Sequence, residues 1–235
     1  MQDYQPINEW TIKNRYPLPL IPQLIDRIGD AELITVVDIR WGYNTVQIIE
    51  EDRHKAAFVM NRGLFQPKVM FFGLTNSPAT FQTMMDTIFH EQIAHGTLTV
   101  YMDDIAVHTK REPNEMEEQH LERHRRLVRE MLAILRQNDL YLNIDKCQFE
   151  QSEVDYLGVR VGGKKIRMEE AKVEKVKDWK PPRNAMEVRR FLGFTGYYRY
   201  FIKGYSQIAR PLLDLTKQST TWHWGTDQQK AFDKL

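Results

Sequence analysis

The sequence predicts an α+β fold, with a body of strands and flanking helices followed by a smaller helical unit from about residue 168. Three observations support this prediction. Short runs rich in β-branched and aromatic residues recur up to residue 167. Between them lie segments with apolar residues at helical spacing. The dipeptide Pro181-Pro182 then separates a last helical stretch from the chain before it.

The first half of the chain is predicted to be mostly extended, with two helices. Prolines make the first thirty residues rich in turns, apart from a short helix over 23–28. Ser77 and Pro78 predict a helix start, with Ser77 as N-cap, before apolar residues at helical spacing up to Phe89. A tight polar break between two apolar runs predicts a hairpin. The predicted strands are 33–40, 45–49, 56–60, 68–72, 98–101 and 105–109.

The second half is predicted to open with a long helix over 113–136, which turns its leucines, Val128 and Met131 inward. Gly162-Gly163 predicts a turn between two short strands. Asn184 and Glu187 fit a capping-box pattern and begin a helix that ends near residue 202. The short strands are predicted at 140–144, 153–161 and 165–167.

Length and composition exclude several classes of protein. The 235 residues are 42% apolar and 28% charged, which suits a globular protein with a sizeable core. No apolar run approaches the roughly 18 residues that span a bilayer, and no leader opens the sequence. Cys147 is a single cysteine, and no Cys/His cluster has zinc spacing. We therefore expect an intracellular soluble protein, and not a membrane, secreted or zinc-finger protein.

The charge is unevenly distributed, although the net charge is only +1. Residues 164–235 hold 16 Lys and Arg against 8 Asp and Glu, whereas residues 1–163 hold 17 against 24. A basic C-terminal third indicates an anionic partner at one end of the molecule. Charges that only solvate helix faces explain the same asymmetry equally well.

The most informative residues for chemistry are the adjacent carboxylates Asp103 and Asp104, at the tip of the predicted hairpin. A polar turn would explain them without any function, because Asp favours turns. Asp38 adds a carboxylate in an apolar strand, where an unpaired charge would be costly to bury. A structural ion pair with Arg40 or Arg53 would explain this carboxylate without any catalytic role. Together the three carboxylates would form an oxygen-rich site for Mg²⁺, which takes carboxylates and substrate phosphates as ligands. Two such ions support phosphoryl transfer.

Five sequence blocks occur in a fixed order along the chain. They are 38–43 (Asp-Ile-Arg-Trp-Gly-Tyr), 72–82 (Phe-Gly-Leu-Thr-Asn-Ser-Pro-Ala-Thr-Phe-Gln), 101–104 (Tyr-Met-Asp-Asp), 156–158 (Tyr-Leu-Gly) and 190–202 (Arg-Phe-Leu-Gly-Phe-Thr-Gly-Tyr-Tyr-Arg-Tyr-Phe-Ile). With these blocks the chain resembles the reverse transcriptases of gypsy-type LTR retrotransposons, especially those of fungi, over nearly its whole length. The resemblance implies a right-hand polymerase fold of fingers, palm and thumb, with an antiparallel palm sheet backed by helices. It also implies an RNA-directed DNA polymerase that adds dNTPs to a primer 3′ end on RNA or DNA templates.

The resemblance assigns roles residue by residue. Asp38, Asp103 and Asp104 match the catalytic carboxylates of the family, which bind two Mg²⁺ ions, with Mn²⁺ as a substitute. Tyr43 matches the aromatic gate beneath the sugar of the incoming nucleotide, where a ring would collide with a 2′-OH. On sequence alone, Tyr43 is equally well explained as a packing residue. The other dNTP-binding positions are matched by Trp41, Gly42, Phe72 and Gly73.

Contacts with an RNA or DNA template–primer duplex are implied for two further regions. The turn Tyr156-Leu157-Gly158 matches the hairpin that grips the primer end. A basic thumb would bind the phosphate backbones, which accounts for the charge asymmetry and makes Lys172 and Lys175 candidate contacts. The remaining template or primer positions are Pro78, Tyr101 and Met102.

The resemblance also divides the chain. The fingers would be 1–30 and 49–79, the palm 31–48 and 80–157, the primer grip and thumb 158–215, and the start of a connection segment 216–235. Relatives carry a further stretch of fingers with a basic residue that grips the triphosphate, and RNase H and integrase regions, which we expect to be absent here. Gln5 stands where relatives commonly have Arg, and Phe71 where many have Pro. We expect a polyprotein fragment that acts in the cytoplasm within virus-like particles, or in the nucleus, without a membrane partner.

Two other functions fit the same residues. One is a nucleic-acid-binding fragment with weak or no polymerisation, since part of the fingers is missing. The other is a structural subunit that supports a catalytic partner in an asymmetric dimer. The presence of all three carboxylates favours catalysis over both.

Overall fold

The computed structural model describes residues 3–235, so Met1 and Gln2, which belong to the predicted fingers segment, lie outside the described residues. The chain forms two compact units that divide between Ile166 and Arg167. This division agrees with the predicted smaller unit from about residue 168. Within residues 3–235, no helix has both the length and the apolar character that crossing a membrane requires.

The first unit mixes helices and short strands. Its helices are α1 Gln5–Trp10, α2 Ile21–Gly29, α3 Ser77–Ile88, α4 His90–Ala94 and α5 Glu117–Gln137. Its strands are β1 Leu33–Asp38, β2 Phe58–Met60, β3 Gly63–Phe65, β4 Leu98–Tyr101, β5 Asp104–Thr109, β6 Gln148–Gln151, β7 Glu153–Tyr156 and β8 Val159–Gly162.

A four-stranded antiparallel sheet of order β4-β5-β1-β6 forms the centre of this unit. Strand β1 pairs with β5 from Leu33 opposite Thr109 to Asp38 opposite Asp104. Apolar residues of α3 and α5 share one core cluster with the sheet, and its fully buried members include Phe81 and Met131. An antiparallel sheet backed by helices is the fold class predicted from sequence, which is therefore confirmed.

A buried polar network lies between the sheet and α5, and the sequence did not predict it. His124 is hydrogen-bonded through Nε2 to the Thr35 hydroxyl at 2.8 Å and through Nδ1 to the Thr109 hydroxyl at 2.9 Å. His120 Nε2 reaches the same Thr109 hydroxyl at 2.9 Å. The two histidines are four residues apart on α5, so they share one helix face. The network joins α5 to both central strands.

This network makes stability depend on pH. Burial lowers the pKa of His124 to about 4, below the ~6.5 of an unfolded chain, so the folded state disfavours the proton that the unfolded state accepts. The neutral imidazole therefore contributes stability above pH ~6.5 that is lost as the pH falls towards ~4. We expect the free energy of unfolding to lose about 2–3 kcal/mol from this residue between those limits. Urea denaturation across this range would measure the loss.

His124→Gln is the matched control for this pH effect, because glutamine can hydrogen-bond but does not titrate. The variant should be less stable than the parent at neutral pH, and the difference should shrink as the pH falls. Parallel pH profiles of the two proteins would show that His124 is not the residue responsible.

The second unit is mainly helical. Its helices are α6 Glu170–Lys177, α7 Ala185–Tyr197, α8 Tyr205–Asp214 and α9 Thr226–Lys234, and β9 Lys165–Met168 spans the boundary between the units. Val188, Phe191 and Leu212 are buried in one cluster, against which Phe232 packs. The predicted start of α7 is confirmed, since Asn184 Oδ1 accepts from Glu187 N at 2.9 Å. The helix ends at Tyr197, earlier than predicted, before a 3₁₀ turn.

Three predicted strands of the first unit are wrong. The stretches 45–49 and 68–72 share only the isolated bridge between Gln47 and Val69, and 140–144 contributes only a bridge from Leu142. Apolar residues in these stretches, such as Val46 and Leu142, pack against the core cluster. Their apolar character therefore reflects burial at the rim of the core and not strand pairing.

Several other predicted boundaries differ from those in the structure. The stretch predicted as one strand over 153–161 is two, because Leu157 and Gly158 adopt φ of 48° and 77° and turn the chain between β7 and β8. The N-cap of α3 is Asn76 and not Ser77, which is the first helical residue. Helix α5 begins at Glu117 and not at 113. In the first unit α1, α4, β3 and β6 were not predicted, and in the second unit α8 and α9 were not predicted as separate helices.

Candidate active site

The two central strands bring the three predicted carboxylates together. Asp38 ends β1 and Asp104 begins β5, and the two are directly opposite in the antiparallel register. Asp103 lies in the turn between β4 and β5, and its carbonyl accepts from Ile39 N at 2.9 Å. The strand carboxylate and the hairpin pair therefore share one end of the sheet, as the sequence predicted.

The carboxylates interact electrostatically. Burial, with smaller contributions from the charges of Asp103 and Asp38, raises the pKa of Asp104 to about 6. Burial also raises the pKa of Asp103, with a smaller contribution from Asp38. Like charges held this close oppose full ionisation, so a cation at this end of the sheet would be strongly favoured.

Lys146 supplies such a cation, and sequence reasoning missed it. Its ammonium donates to Asp38 Oδ2 at 3.1 Å, although the lysine side chain is 63% exposed. Asn143 N donates to Asp38 O at 2.9 Å, which places the 3₁₀ turn Ile144–Lys146 beside the end of β1. The partner of Asp38 is thus neither Arg40 nor Arg53. No local pattern could indicate it, because the two residues lie 108 positions apart.

Arg40 and Arg53 make other contacts. The Arg40 guanidinium lies over the ring of Trp41, at 4.4 Å from its centroid. Arg53 Nε donates to the carbonyl of Ile48 at 3.1 Å. Neither arginine therefore pairs with Asp38 in β1, so the structural ion pair considered from the sequence is not formed.

The turn that carries Asp103 has an unusual backbone. Met102 has φ of 53° and Asp103 does not have positive φ, which is the pattern of a type II′ hairpin turn, where glycine is usual at the first position. Met102 N donates to Oε1 of the fully buried Gln82 at 2.7 Å. A side-chain amide on α3 thereby holds a turn that methionine alone would disfavour.

The predicted gate residue lies beside this turn. Tyr43 OH donates to Met102 Sδ at 3.3 Å, and burial together with Asp103 raises the pKa of the phenol. The ring packs edge-on against Phe72 and Phe81, with centroids at 4.9 and 5.6 Å. Tyr43 is therefore held between the carboxylate turn and two phenylalanines.

The other predicted nucleotide-binding residues differ in how exposed they are to solvent. Trp41 and Phe72 are exposed, at 67% and 75%. Gly42 is buried in the 3₁₀ turn after β1, and Gly73 adopts φ of 105° against the Tyr4 ring. The structure brings Trp41, Gly42, Tyr43 and Phe72 into one neighbourhood at the end of β1.

Gly42 is the position where an added methyl group should be most costly. A Cβ there would lie 2.7 Å from Phe81 Cζ, and Phe81 is fully buried, so the ring cannot move freely. We expect Gly42→Ala to destabilise the protein by about 1–3 kcal/mol, measured by chemical denaturation. Gly193→Ala, in α7 with open space around the new methyl, should be neutral or stabilising. Equal stability of the two variants would contradict the close packing at Gly42.

The predicted template and primer residues are more dispersed. Tyr101 and Met102 belong to the carboxylate hairpin, and Pro78 lies in the first turn of α3. Tyr156 is only 2% exposed, which leaves the Leu157-Gly158 turn as the accessible part of its block. The remaining two candidates, Lys172 and Lys175, lie on α6 in the second unit, where Lys172 pairs with Glu169 at 3.9 Å.

A family model and the sequences of known proteins were compared with this chain, and both point to the same family. The family described as "Reverse transcriptase (RNA-dependent DNA polymerase)" matches residues 1–161. The Tf2-3, Tf2-4 and Tf2-7 transposon polyproteins of Schizosaccharomyces pombe (strain 972 / ATCC 24843) are each 35% identical to this chain over 233 residues. That match covers 99% of this chain but only 17% of the length of each polyprotein.

Solved structures give the same fold. The foamy viral protease–reverse transcriptase dRH in complex with double-stranded DNA superposes with a TM-score of 0.84 at 18% identity, over 98% of this chain and 39% of that chain. The foamy viral protease–reverse transcriptase in complex with an RNA/DNA hybrid superposes with a TM-score of 0.77 at 19% identity, over 98% of this chain and 30% of that chain. These similarities establish the polymerase fold, as predicted.

Proposed function

This chain belongs to the reverse transcriptase family, and on that premise we propose that it is an RNA-directed DNA polymerase, which extends a primer 3′ end with dNTPs on RNA or DNA templates. One observation carries the proposal. Asp38 and Asp104 face each other across the two central strands, with Asp103 in the adjoining turn. Three carboxylates at one end of a rigid sheet are suited to phosphoryl transfer, which depends on positioned charge.

Reverse transcriptases generally use divalent metal ions. Within residues 3–235, no three acidic, histidine or cysteine side chains converge closely enough to form a metal site by themselves. Mg²⁺ does not require such a cluster, because one or two carboxylates and the substrate phosphates commonly complete its ligands. The donor set fits, since Asp38, Asp103 and Asp104 offer only carboxylate oxygens and already attract the Lys146 ammonium.

We propose that these three aspartates hold two Mg²⁺ ions, or Mn²⁺ in their place. When bound, the ions would lower the pKa of the primer hydroxyl and neutralise charge on the triphosphate. Lys146 would leave Asp38 or stay beside it as a further positive charge, since its exposed side chain is free to turn. The chain itself supplies the fixed carboxylates and the shape of the site.

The neighbourhood of Tyr43 is the proposed nucleotide pocket. Its ring is pinned by Met102, Phe72 and Phe81, so it would present a fixed wall to the sugar. The exposed Trp41 and Phe72 would border the opening. Backbone N–H groups of Trp41 and Gly42 would face the triphosphate, a role that needs no side chain.

For the duplex, we propose contacts from the hairpin residues Tyr101 and Met102, from Pro78, and from the primer-grip block 156–158. Because Tyr156 is buried, the Leu157-Gly158 turn would make that last contact. We also keep the predicted assignment of fingers to 1–30 and 49–79, palm to 31–48 and 80–157, thumb to 158–215 and connection to 216–235. The antiparallel sheet within the palm range supports that part of the assignment.

The basic second unit should make duplex binding depend on salt. If residues from 164 onward bind the phosphate backbone, affinity should fall steeply as salt rises, because counterions are released on binding. Neutralising Lys172, Lys175 and Lys177 together should reduce the slope of log K against log salt by about 2–3. Fluorescence anisotropy of a labelled RNA/DNA hybrid would measure both slopes.

A matched triple variant separates this effect from net charge alone. It neutralises three basic residues of the first unit that are paired with carboxylates, namely Lys55, Lys110 and Arg111. The control should keep nearly the parent slope. Equal slopes for both triple variants would show that α6 does not bind the duplex.

Primer extension tests the proposed activity directly. The chain should add dTMP to an oligo(dT) primer on poly(rA) in the presence of Mg²⁺, and chelation of the metal should stop the reaction. Tight binding of the same primer–template without any extension, with Mg²⁺ or Mn²⁺, would instead favour a nucleic-acid-binding fragment.

A further inference from the structure

A continuous chain of side-chain hydrogen bonds leads from the N-terminal segment to the turn that carries Asp103. Tyr16 OH donates to Asp86 Oδ2 at 2.6 Å, and Gln82 Nε2 donates to Asp86 Oδ1 at 2.8 Å. Gln82 Oε1 then accepts from Met102 N at 2.7 Å. We call Tyr16, Asp86 and Gln82 the relay. Its inner end is fully buried, and its outer members are half-buried.

The inner end of the relay acts on a backbone that needs support. Met102 is a non-glycine residue with φ of 53° at the first position of a two-residue hairpin turn. Met102 lies in the turn between the paired residues Tyr101 and Asp104, and its N–H donates to Gln82 Oε1. The orientation of the turn sets where the next residue, Asp103, places its carboxylate.

The outer members of the relay help to fix the orientation of the Gln82 amide. A glutamine amide can flip and exchange its donor and acceptor ends. Gln82 Nε2 donates to Asp86 Oδ1 at 2.8 Å and, over a longer 3.4 Å, to the Val100 carbonyl. Both groups only accept, so together they favour the orientation in which Oε1 faces Met102, and the shorter bond is the one to Asp86. Tyr16 occupies the second oxygen of Asp86 and limits its rotation. Gln82 and Asp86 are four residues apart on α3, so the pair is built on a rigid element.

We propose that Tyr16 and Asp86 are positioning residues for the carboxylate of Asp103, acting through the Gln82 amide and the Met102 turn. This inference rests on the proposed function, since it concerns the residue assigned there to metal binding. Neither Tyr16 nor Asp86 contacts a carboxylate of the site. Their loss should therefore weaken metal binding while the fold is kept.

The local structure makes a clean test of Tyr16 practicable. The N-terminal segment is also held by Asn76, whose side chain accepts from Asn14 N at 2.9 Å and donates to Ile12 O at 2.8 Å. Tyr16→Phe removes one hydroxyl and keeps the ring, so the segment should stay in place. Asp86→Asn keeps the shape of the side chain but can donate to Gln82, which weakens the preference of the amide for one orientation and leaves only the longer bond to the Val100 carbonyl to hold Nε2.

The first readout is the Met102 backbone amide, which needs neither metal nor activity. In protein labelled with ¹⁵N-methionine, Tyr16→Phe and Asp86→Asn should each shift the Met102 amide resonance and speed its hydrogen exchange. The second readout is Mn²⁺ binding to the protein without substrate, followed by electron paramagnetic resonance. Both variants should weaken it by about threefold to tenfold, as expected for the loss of one hydrogen bond.

Controls distinguish positioning from a general structural role. Thr87→Ala removes a hydroxyl from the same helix, where it donates to the carbonyl of Thr83 at 2.7 Å, and should change neither readout. Tyr16→Phe added to Asp86→Asn should have little further effect, because both act through one contact. Melting temperatures of Tyr16→Phe and its parent should agree closely.

The experiments distinguish a failure of this inference from a failure of the proposed polymerase function. An unchanged Met102 amide and unchanged Mn²⁺ affinity in both relay variants would overturn the inference, whether or not the parent extends primers. A fall in Mn²⁺ binding that merely follows a loss of folded protein would also overturn it. A parent that extends no primer, with the Met102 and Mn²⁺ effects present, would reject the proposed function and leave the relay standing.

Discussion

Asp103→Asn should reduce primer extension by about a thousandfold or more, because it removes a charge that the proposed metal site requires at the turn. The change keeps the size of the side chain. It also removes a charge that raises the pKa of Asp104, so the repulsion between the carboxylates should decrease. We therefore expect the metal-free variant to be at least as stable as its parent while it is nearly inactive. Steady-state extension and urea denaturation would measure the two effects.

Asp145→Asn is the matched control for this variant. Asp145 is an exposed carboxylate in the turn that carries Lys146, and it is not among the charges that shift the pKa of Asp103 or Asp104. The control should keep extension near the parent rate, and both variants should bind the primer–template duplex. Extension by Asp103→Asn at the parent rate would remove that aspartate from the metal site.

Tyr43→Ala should raise ribonucleotide use relative to deoxyribonucleotide use by about tenfold to a hundredfold, since a steric wall would be lost. The ring is fixed between Met102, Phe72 and Phe81, so it cannot easily turn away from a 2′-hydroxyl. The ratio of kcat/KM for matched dNTP and rNTP pairs is the measurement, because any loss of folded enzyme cancels in it. Deoxyribonucleotide extension should fall by a smaller factor.

Tyr43→Phe separates the gate from simple packing. It keeps the ring and loses only the hydrogen bond to Met102 Sδ, so it should discriminate against ribonucleotides as the parent does. An unchanged ratio in a folded, active Tyr43→Ala variant would show that Tyr43 is a packing residue. The carboxylate assignments would stand in that case, since they do not depend on this ring.

The sequence was sufficient for the parts of the site that local patterns encode. Two apolar runs around a polar break predict the hairpin at 98–109, and the structure places β4 and β5 there. Asp38 is conspicuous as a charge within an apolar strand, and the register brings it opposite Asp104. The roles assigned to these residues, and to Tyr43 and Lys172, remain predictions.

What the sequence could not indicate depends on contacts between distant segments. Lys146 meets Asp38 only because the chain after α5 returns to the end of β1. The strand patterns at 45–49 and 68–72 were misleading, because residues at the rim of a core are apolar without being paired in a sheet. The spacing of Gln82 and Asp86 did carry a signal, since polar residues four apart on a helix with a buried face invite a search for a shared partner.

The position of β1 and β5 inside the sheet order has a further consequence. Each has a hydrogen-bonded neighbour on both sides, so neither can fray as an edge strand can. The carboxylates at their ends should therefore be among the last features lost, and amide protons of β1 and β5 should exchange only through global unfolding. Among residues 3–235 no third strand joins the ribbon of β2 and β3, so it should open at much lower free energy. Denaturant would thus act on this molecule in two stages. The β2–β3 ribbon would open at low denaturant concentration, and the central sheet with its carboxylates would unfold only at a higher one.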